Sequence, residues 1–202
     1  MISDQRSPDS TKIGAWLFRH RTALPLPVAL ALLLVRVGEA SFSWTLVGSG
    51  VVLTFAGESL RLWAVHHIGV ISRTRSGRLG PLVETGPFGF VRNPLYIGNI
   101  MLWVGMALTA RLVWMAPVVA LLLAMEYDAI VRWEEELLKS RYGDEYVQYA
   151  KRVPRWVPRT SGSKAGTAQN PPFSWRETLF SERGTLIAIA AGYTLLFVKL
   201  QV

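Results

Sequence analysis

The chain has 202 residues, half of them hydrophobic, with a mean hydropathy of +0.27, eight tryptophans, no cysteine and a formal charge of +8. This is the profile of one small membrane protein domain, whose apolar surplus goes to lipid as well as to an interior. The absence of cysteine excludes a disulfide framework and any Cys-based metal site, and leaves the redox compartment open. The basic residues flank hydrophobic segments, so anionic lipid headgroups account for the charge better than nucleic acid does.

The N-terminal MISDQRSPDSTK is polar and runs into mixed charge, which makes a poor signal peptide. Five apolar segments follow. The first, Ala23 to Val37, carries Pro25 and Pro27 near its start and is expected to begin with an irregular turn. The second, Trp44 to Ile71, is long enough to span with tilt, since a span needs roughly 20 residues. The third, Leu95 to Ala110, and the fourth, Leu112 to Val131, are nearly contiguous and predict a tight helical hairpin. The fifth, Thr185 to Val198, is reached through a Gly, Ser and Pro-rich stretch from Thr160 to Pro172 that reads as a flexible connector.

The distribution of Lys and Arg tests this count. Arg6, Lys12, Arg19 and Arg21 precede the first segment, and Arg73, Arg75, Arg78 and Arg92 lie between the second and third. Ten more fall between Arg132 and Arg183, whereas the opposite side has little beyond Arg36, Arg111 and Lys199. An all-α integral membrane protein of about five spans, with its N-terminus cytoplasmic, satisfies the rule.

Two polar stretches stand out. In LVETGPFGFVRNPLYIGN, Leu82 to Asn99, Gly86 permits unusual backbone angles and Pro87 fixes its own φ. Pro94 biases Asn93 away from helix and then fits the first helical turn, so Arg92, Asn93 and Tyr96 gather at a helix N-terminus. In RWEEELLKSRYGDEYVQYAKRVPRWVP, Arg132 to Pro158, Glu134, Glu135 and Glu136 continue the fourth helix. At about 100° per residue they cannot share one direction, so one or two should face the third helix and its corner. The alternative is a solvated acidic turn neutralised by Arg132, Lys139 and Arg141. Gly143 should end the helix, with Tyr146 and Tyr149 at the membrane interface. Glu58 and Arg61, three apart, can pair on the second segment, as either a functional or a structural ion pair. Glu126 and Asp128 mark the fourth segment's approach to the headgroups. Adjacent His66 and His67 face different directions and lack further ligands at matching spacing, so no metal site is expected. There is no Walker loop, nucleophile elbow or dinucleotide fingerprint.

RLWAVHHIG, then LVETGPFGFVRNPLYIGN, then EEELLKSRYGDEYVQYAKRVPRWVP, together Arg61 to Pro158, resemble the membrane methyltransferases that include isoprenylcysteine carboxyl methyltransferase and the bacterial phospholipid N-methyltransferases. The resemblance implies S-adenosylmethionine, with S-adenosylhomocysteine as product, in a cytoplasmic-side pocket, and a lipid substrate arriving from the bilayer. It matches Val83, Gly86, Pro87, Phe88, Arg92, Asn93 and Tyr96 to one cofactor motif and Glu134 and Glu135 to the other. It divides the chain into a methyltransferase core over 1–159, a connector and interfacial segment over 160–183 and a C-terminal transmembrane helix over 184–202. Many members carry His where this chain has Asn93, and Asn cannot titrate near neutral pH.

Methyl transfer is an in-line displacement, so positioning and field dominate. The implied catalytic set is Arg92, Asn93 and Glu135. The expected reaction is N-methylation of the amine headgroup of a phospholipid such as phosphatidylethanolamine, with Glu135 or Glu134 taking the amine proton. Carboxyl O-methylation of a prenylcysteine is the nearest competitor and would favour a cationic partner such as Arg92. A membrane sterol reductase using a reduced nicotinamide cofactor is disfavoured by the Glu-Glu pair, which would repel that cofactor's phosphates. A non-enzymatic membrane scaffold predicts no cofactor binding. Oligomeric state is left open.

Overall fold

The structure, a computed structural model, describes residues 8–21, 23–68, 82–161 and 174–201. Among them are seven α-helices and one short 3-10 turn, with no strand. Helix α1 is Pro8–His20 and α2 is Leu26–Leu34; α3 is Trp44–Ile68, α4 Pro94–Thr109, α5 Met115–Tyr142, α6 Asp144–Arg152 and α7 Trp175–Gln201. The 3-10 turn Gly86–Gly89 precedes α4.

Helix α1 falls in the polar N-terminal stretch, where no helix was expected. The first apolar segment yields only α2. An irregular turn does precede it, with Leu26 N donating to Ala23 O at 3.0 Å, and Val35 ends it in an extended conformation. Of the second segment, the last three residues lie outside the described residues. The hairpin between α4 and α5 forms, but α5 starts three residues later than expected because Arg111 takes a left-handed φ of 62°. Helix α5 then runs past Val131 without a break until Gly143, at φ 53°. Helix α7 starts ten residues before Thr185, inside the expected connector, because Ser174 and Glu177 form a capping box. Glu177 N donates to Ser174 Oγ at 3.2 Å and Ser174 N donates to Glu177 Oε2 at 2.9 Å. Most of the remaining connector, residues 162–173, lies outside the described residues.

Among the described residues α7 alone is both long and apolar enough to cross a membrane. Helices α2 and α4 have nine and 16 residues, short of the roughly 20 that a span needs, so helix length does not reproduce the five-span expectation.

The closest helix contact is between antiparallel α3 and α4, and glycine makes it possible. A Cβ at Gly50 would stand 2.6 Å from Gly105 O, and one at Gly105 would stand 2.5 Å from Gly50 O. Seven residues along, a Cβ at Gly57 would stand 2.6 Å from Gly98 O, and one at Gly98 2.7 Å from Gly57 O. The two helices thus touch backbone to backbone at two levels, as small residues allow in apolar surroundings. Between these levels Thr54 Oγ1 donates to Leu102 O at 3.3 Å. Gly57→Ala is expected to destabilise the protein by about 1–3 kcal/mol, because neither backbone can yield. Gly48→Ala on the same helix, where nothing lies within 4 Å, should be neutral. Thermal unfolding of the two variants in detergent checks the contrast.

Candidate functional site

The corner between α3 and α4 is built from backbone. The 3-10 turn buries Pro87, Phe88 and Gly89. Gly86, at φ 58°, leaves no room for a side chain, because a Cβ there would run into the His67 ring. His67 Nδ1 lies 3.0 Å from Thr85 Oγ1, and His66 stacks on Trp175 of α7 at 4.3 Å. Both histidines therefore serve packing. Among the described residues no three His, Cys, Asp or Glu side chains gather as metal ligands would.

The segment after α6 closes over this corner. Arg92 N donates to Pro154 O at 2.9 Å, Arg159 N to Phe90 O at 3.1 Å and Asn93 Nδ2 to Arg155 O at 3.1 Å. Tyr149 hydroxyl donates to Phe88 O at 2.9 Å. Tyr146 and Tyr149 are thus buried against protein, with Val153, Leu82 and Leu138 around them, and not placed at a lipid interface as expected. Burial pushes the Tyr146 hydroxyl up to about 12 and raises that of Tyr149 as well.

The three consecutive glutamates separate as helix rotation requires. Glu136 is exposed. Glu135 faces the corner, where Arg92 Nη1 pairs with it at 3.1 Å. Arg155 adds a two-point contact, Nε to Oε1 at 3.0 Å and Nη2 to Oε2 at 2.5 Å. That pairing raises the Arg155 guanidinium above its usual value. Glu134 accepts instead from the Tyr96 hydroxyl at 3.0 Å. Burial lifts its carboxyl to about 7, against the pull of the Tyr96 hydrogen bond and of Arg21, with Glu135 adding to the rise. Arg132, expected to neutralise this run, pairs with Asp128 at 2.6 Å.

These groups line one cavity of about 860 Å³. Its polar end holds Val83, Phe88, Arg92, Asn93, Tyr96, Glu134 and Glu135, and its apolar end runs between α2, α4 and α7, past Leu33, Met106 and Gly192. Of the nine residues singled out from sequence, Gly86 and Pro87 do not line it and act by shaping the turn. Midway, Arg61 pairs with Glu58 at 3.0 Å and with Glu182 of α7. It also donates to Asn99 and, at 3.1 Å, to Thr185 Oγ1. The ion pair read from sequence is therefore part of a larger buried knot.

With this geometry the comparisons with known proteins are specific. The family model described as phospholipid methyltransferase matches residues 45–145, half of the chain. The chain belongs to the phospholipid methyltransferase family. It is 31% identical over 159 residues to the nickel-cobalt-cadmium resistance protein of Alcaligenes xylosoxydans xylosoxydans, covering 74% of this chain and 70% of that one. It is 32% identical over 160 residues to the cobalt-zinc-cadmium resistance protein of Cupriavidus metallidurans, with 75% and 70% covered. It is 24% identical over 181 residues to rat protein-S-isoprenylcysteine O-methyltransferase, covering 82% of this chain and 62% of the rat protein. Membership makes this chain an enzyme of methyl transfer.

The candidate site also draws on residues to which the sequence assigned no role. Arg155 lies outside 45–145 yet holds Glu135 and Asn93 together. Thr185, Ser181 and Gly192 bring α7 into the cavity wall. The signal for Arg155 was present in the V-P-R run after α6, which was read as family pattern and not as a source of a charged partner.

Glu134 makes the site's charge balance measurable. With the folded carboxyl raised from 4.5 to about 7, its contribution to stability is intact below about pH 4.5 and is lost as pH climbs through 7. Glu134→Gln removes the buried ionisation. Its melting temperature is expected to exceed that of the wild type at pH 8, by the equivalent of about 2–3 kcal/mol, and to match it at pH 4.5. Melting curves at the two pH values check the sign.

Proposed function

We propose that this methyltransferase uses S-adenosylmethionine to N-methylate the amine headgroup of a phospholipid such as phosphatidylethanolamine. The observation that carries the reading is Glu134, a carboxyl held by Tyr96 and raised to about 7, at the polar end of a cavity whose other end is apolar. A lipid ammonium must shed a proton before it can attack, and a base matched to neutral pH suits that task. Glu135 is not that base, because Arg92 and Arg155 already neutralise it. Its part is to hold Arg92 in place.

The residues present fit the cofactor. Arg92 Nε is buried without a hydrogen-bond partner, an available donor for a carboxylate, and the neighbouring glutamates suit an ammonium. Arg92, Glu134 and Glu135 would hold the amino-acid end, with Val83, Phe88, Asn93 and Tyr96 around it. When bound, S-adenosylmethionine supplies an activated methyl on a sulfonium. Asn93, tied to Arg155 O, orients the corner and exchanges no proton.

Membrane embedding is part of the reading. Val52, Phe55, Leu121, Met125, Ile187 and Phe197 are 62–74% exposed, an apolar surface on α3, α5 and α7 that lipid would cover. We place the N-terminus and the site on the cytoplasmic side, with several helices passing through the bilayer. On this reading a part in cation resistance, which the names of the bacterial relatives carry, would run through the lipid product.

A second reading is carboxyl O-methylation of a prenylcysteine, favoured by the rat relative's activity and by the available donor on Arg92. Transfer of labelled methyl from S-adenosylmethionine into vesicles containing phosphatidylethanolamine or a prenylcysteine separates the two. For the amine, the rate should rise as pH climbs through about 7, where Glu134 ionises, and Glu134→Gln should lose about 10²- to 10⁴-fold. A base-labile methyl ester on the prenylcysteine, with no step near pH 7, would select the second reading.

A further inference from the structure

Helix α1 lies outside the residues that the family model matches, yet it reaches the site. Gly14 lets it press on α5: a Cβ there would stand 2.5 Å from Ala129 O and 2.6 Å from Trp133 Cβ. One turn on, Phe18 packs against Trp133 with ring centroids 4.9 Å apart. The Arg21 guanidinium then stands 3.9 Å above the Phe18 ring, and Arg21 lines the cavity beside Tyr96 and Glu134. Among the described residues no carboxylate lies within ion-pair distance of it. Its charge nevertheless reaches Glu134, whose carboxyl it draws down against burial. The helix thus delivers a guanidinium, stacked on an aromatic ring and with its donors open, to the cavity end that holds the buried carboxylate.

A cation and a carboxylate that line the same cavity without pairing are complementary to a zwitterion whose anion and amine are a few bonds apart. In a phosphoethanolamine headgroup the phosphate and the amine are two carbons apart. We propose that Arg21 anchors the headgroup phosphate of the methyl acceptor and thereby sets its amine against Glu134. The assignment rests on the reading of this site as a lipid amine methyltransferase. A planar guanidinium suits the task, because it engages two phosphate oxygens at once where a lysine would act as a point charge. Arg92 does not duplicate it, being held by Glu135 at the corner.

The test uses the full chain in detergent, with calorimetric titration of dihexanoylphosphatidylethanolamine, of dihexanoylglycerol, which lacks the phosphate, and of S-adenosylhomocysteine. Arg21→Gln is expected to weaken the phospholipid by about 10- to 100-fold. Arg21→Lys should recover part of that loss. Binding of dihexanoylglycerol and S-adenosylhomocysteine should be unchanged, which also shows that the variant folds. Wild-type affinity for the phospholipid in Arg21→Gln would overturn the anchor while leaving the acceptor reading intact. Weakened S-adenosylhomocysteine binding alone would reassign Arg21 to the cofactor and overturn it too. A wild-type protein that ignores the phospholipid but methylates a prenylcysteine would sink the acceptor reading, and the anchor with it.

Discussion

The backbone contact between α3 and α4 is the constraint on which the site depends. Two glycine pairs, each seven residues apart on its own helix, let carbonyls approach where any side chain would intervene. Arg61 uses the same closeness, since its stem lies against Gly98 and its head reaches Asn99 on the facing helix. At the end of the same helix His67 fills the space under Gly86. The corner that carries Arg92 and Asn93 is therefore referenced to α3 through backbone and ring contacts. A long flexible side chain would not hold it so closely. Where a site needs positioning more than chemistry, such stiffness is the relevant property.

Two buried ionic clusters extend that frame to α7. Near the corner, Arg61 is shared between Glu58 of α3 and Glu182 of α7. At the far end, Lys199 donates to Leu32 O and Val35 O and pairs with Glu39, which also holds Arg111 of the hairpin turn. Ion pairs withdrawn from water yield little net stability, because desolvation offsets attraction, but breaking one leaves a stranded charge at high cost. Their effect is to make the register of α7 definite. A helix that rotated or slid would lose both clusters at once. The wall of the cavity that α7 supplies is fixed by charges lying at its two ends, with the apolar stretch between them left free to face the cavity.

Sequence made the corner legible because proline and glycine act locally: Pro94 fits a first helical turn whatever surrounds it, and Gly86 takes its positive φ without steric cost. The continuation of α5 through the glutamates was legible for the same reason, as helical rotation alone separates Glu134 from Glu135. What stayed hidden depends on partners far away in the chain. Arg155 finds Glu135 only after α6 turns the chain back, and Tyr146 and Tyr149 are buried only because that return covers the corner. The glycine pairs were readable in principle, since two helices each carry glycines seven apart, but their matching depends on antiparallel packing. Ser174-Trp175-Arg176-Glu177 is a capping box, and hydropathy alone hid it.

Adjacent carboxylates on one helix end in different surroundings, and they differ in their count of arginines. Glu135 receives two, one from the corner and one from the returning segment. Glu134 receives a tyrosine hydroxyl and the more distant charge of Arg21, too little to offset burial. Arg155 grips Glu135 at two points and Arg92 meets it through Nη1, while the buried Arg92 Nε has no hydrogen-bond partner. The returning segment thus does more than cover the corner. By gripping Glu135 it fixes that carboxylate at the corner, while Glu134, one residue away on the same helix, answers mainly to burial and to the Tyr96 hydroxyl.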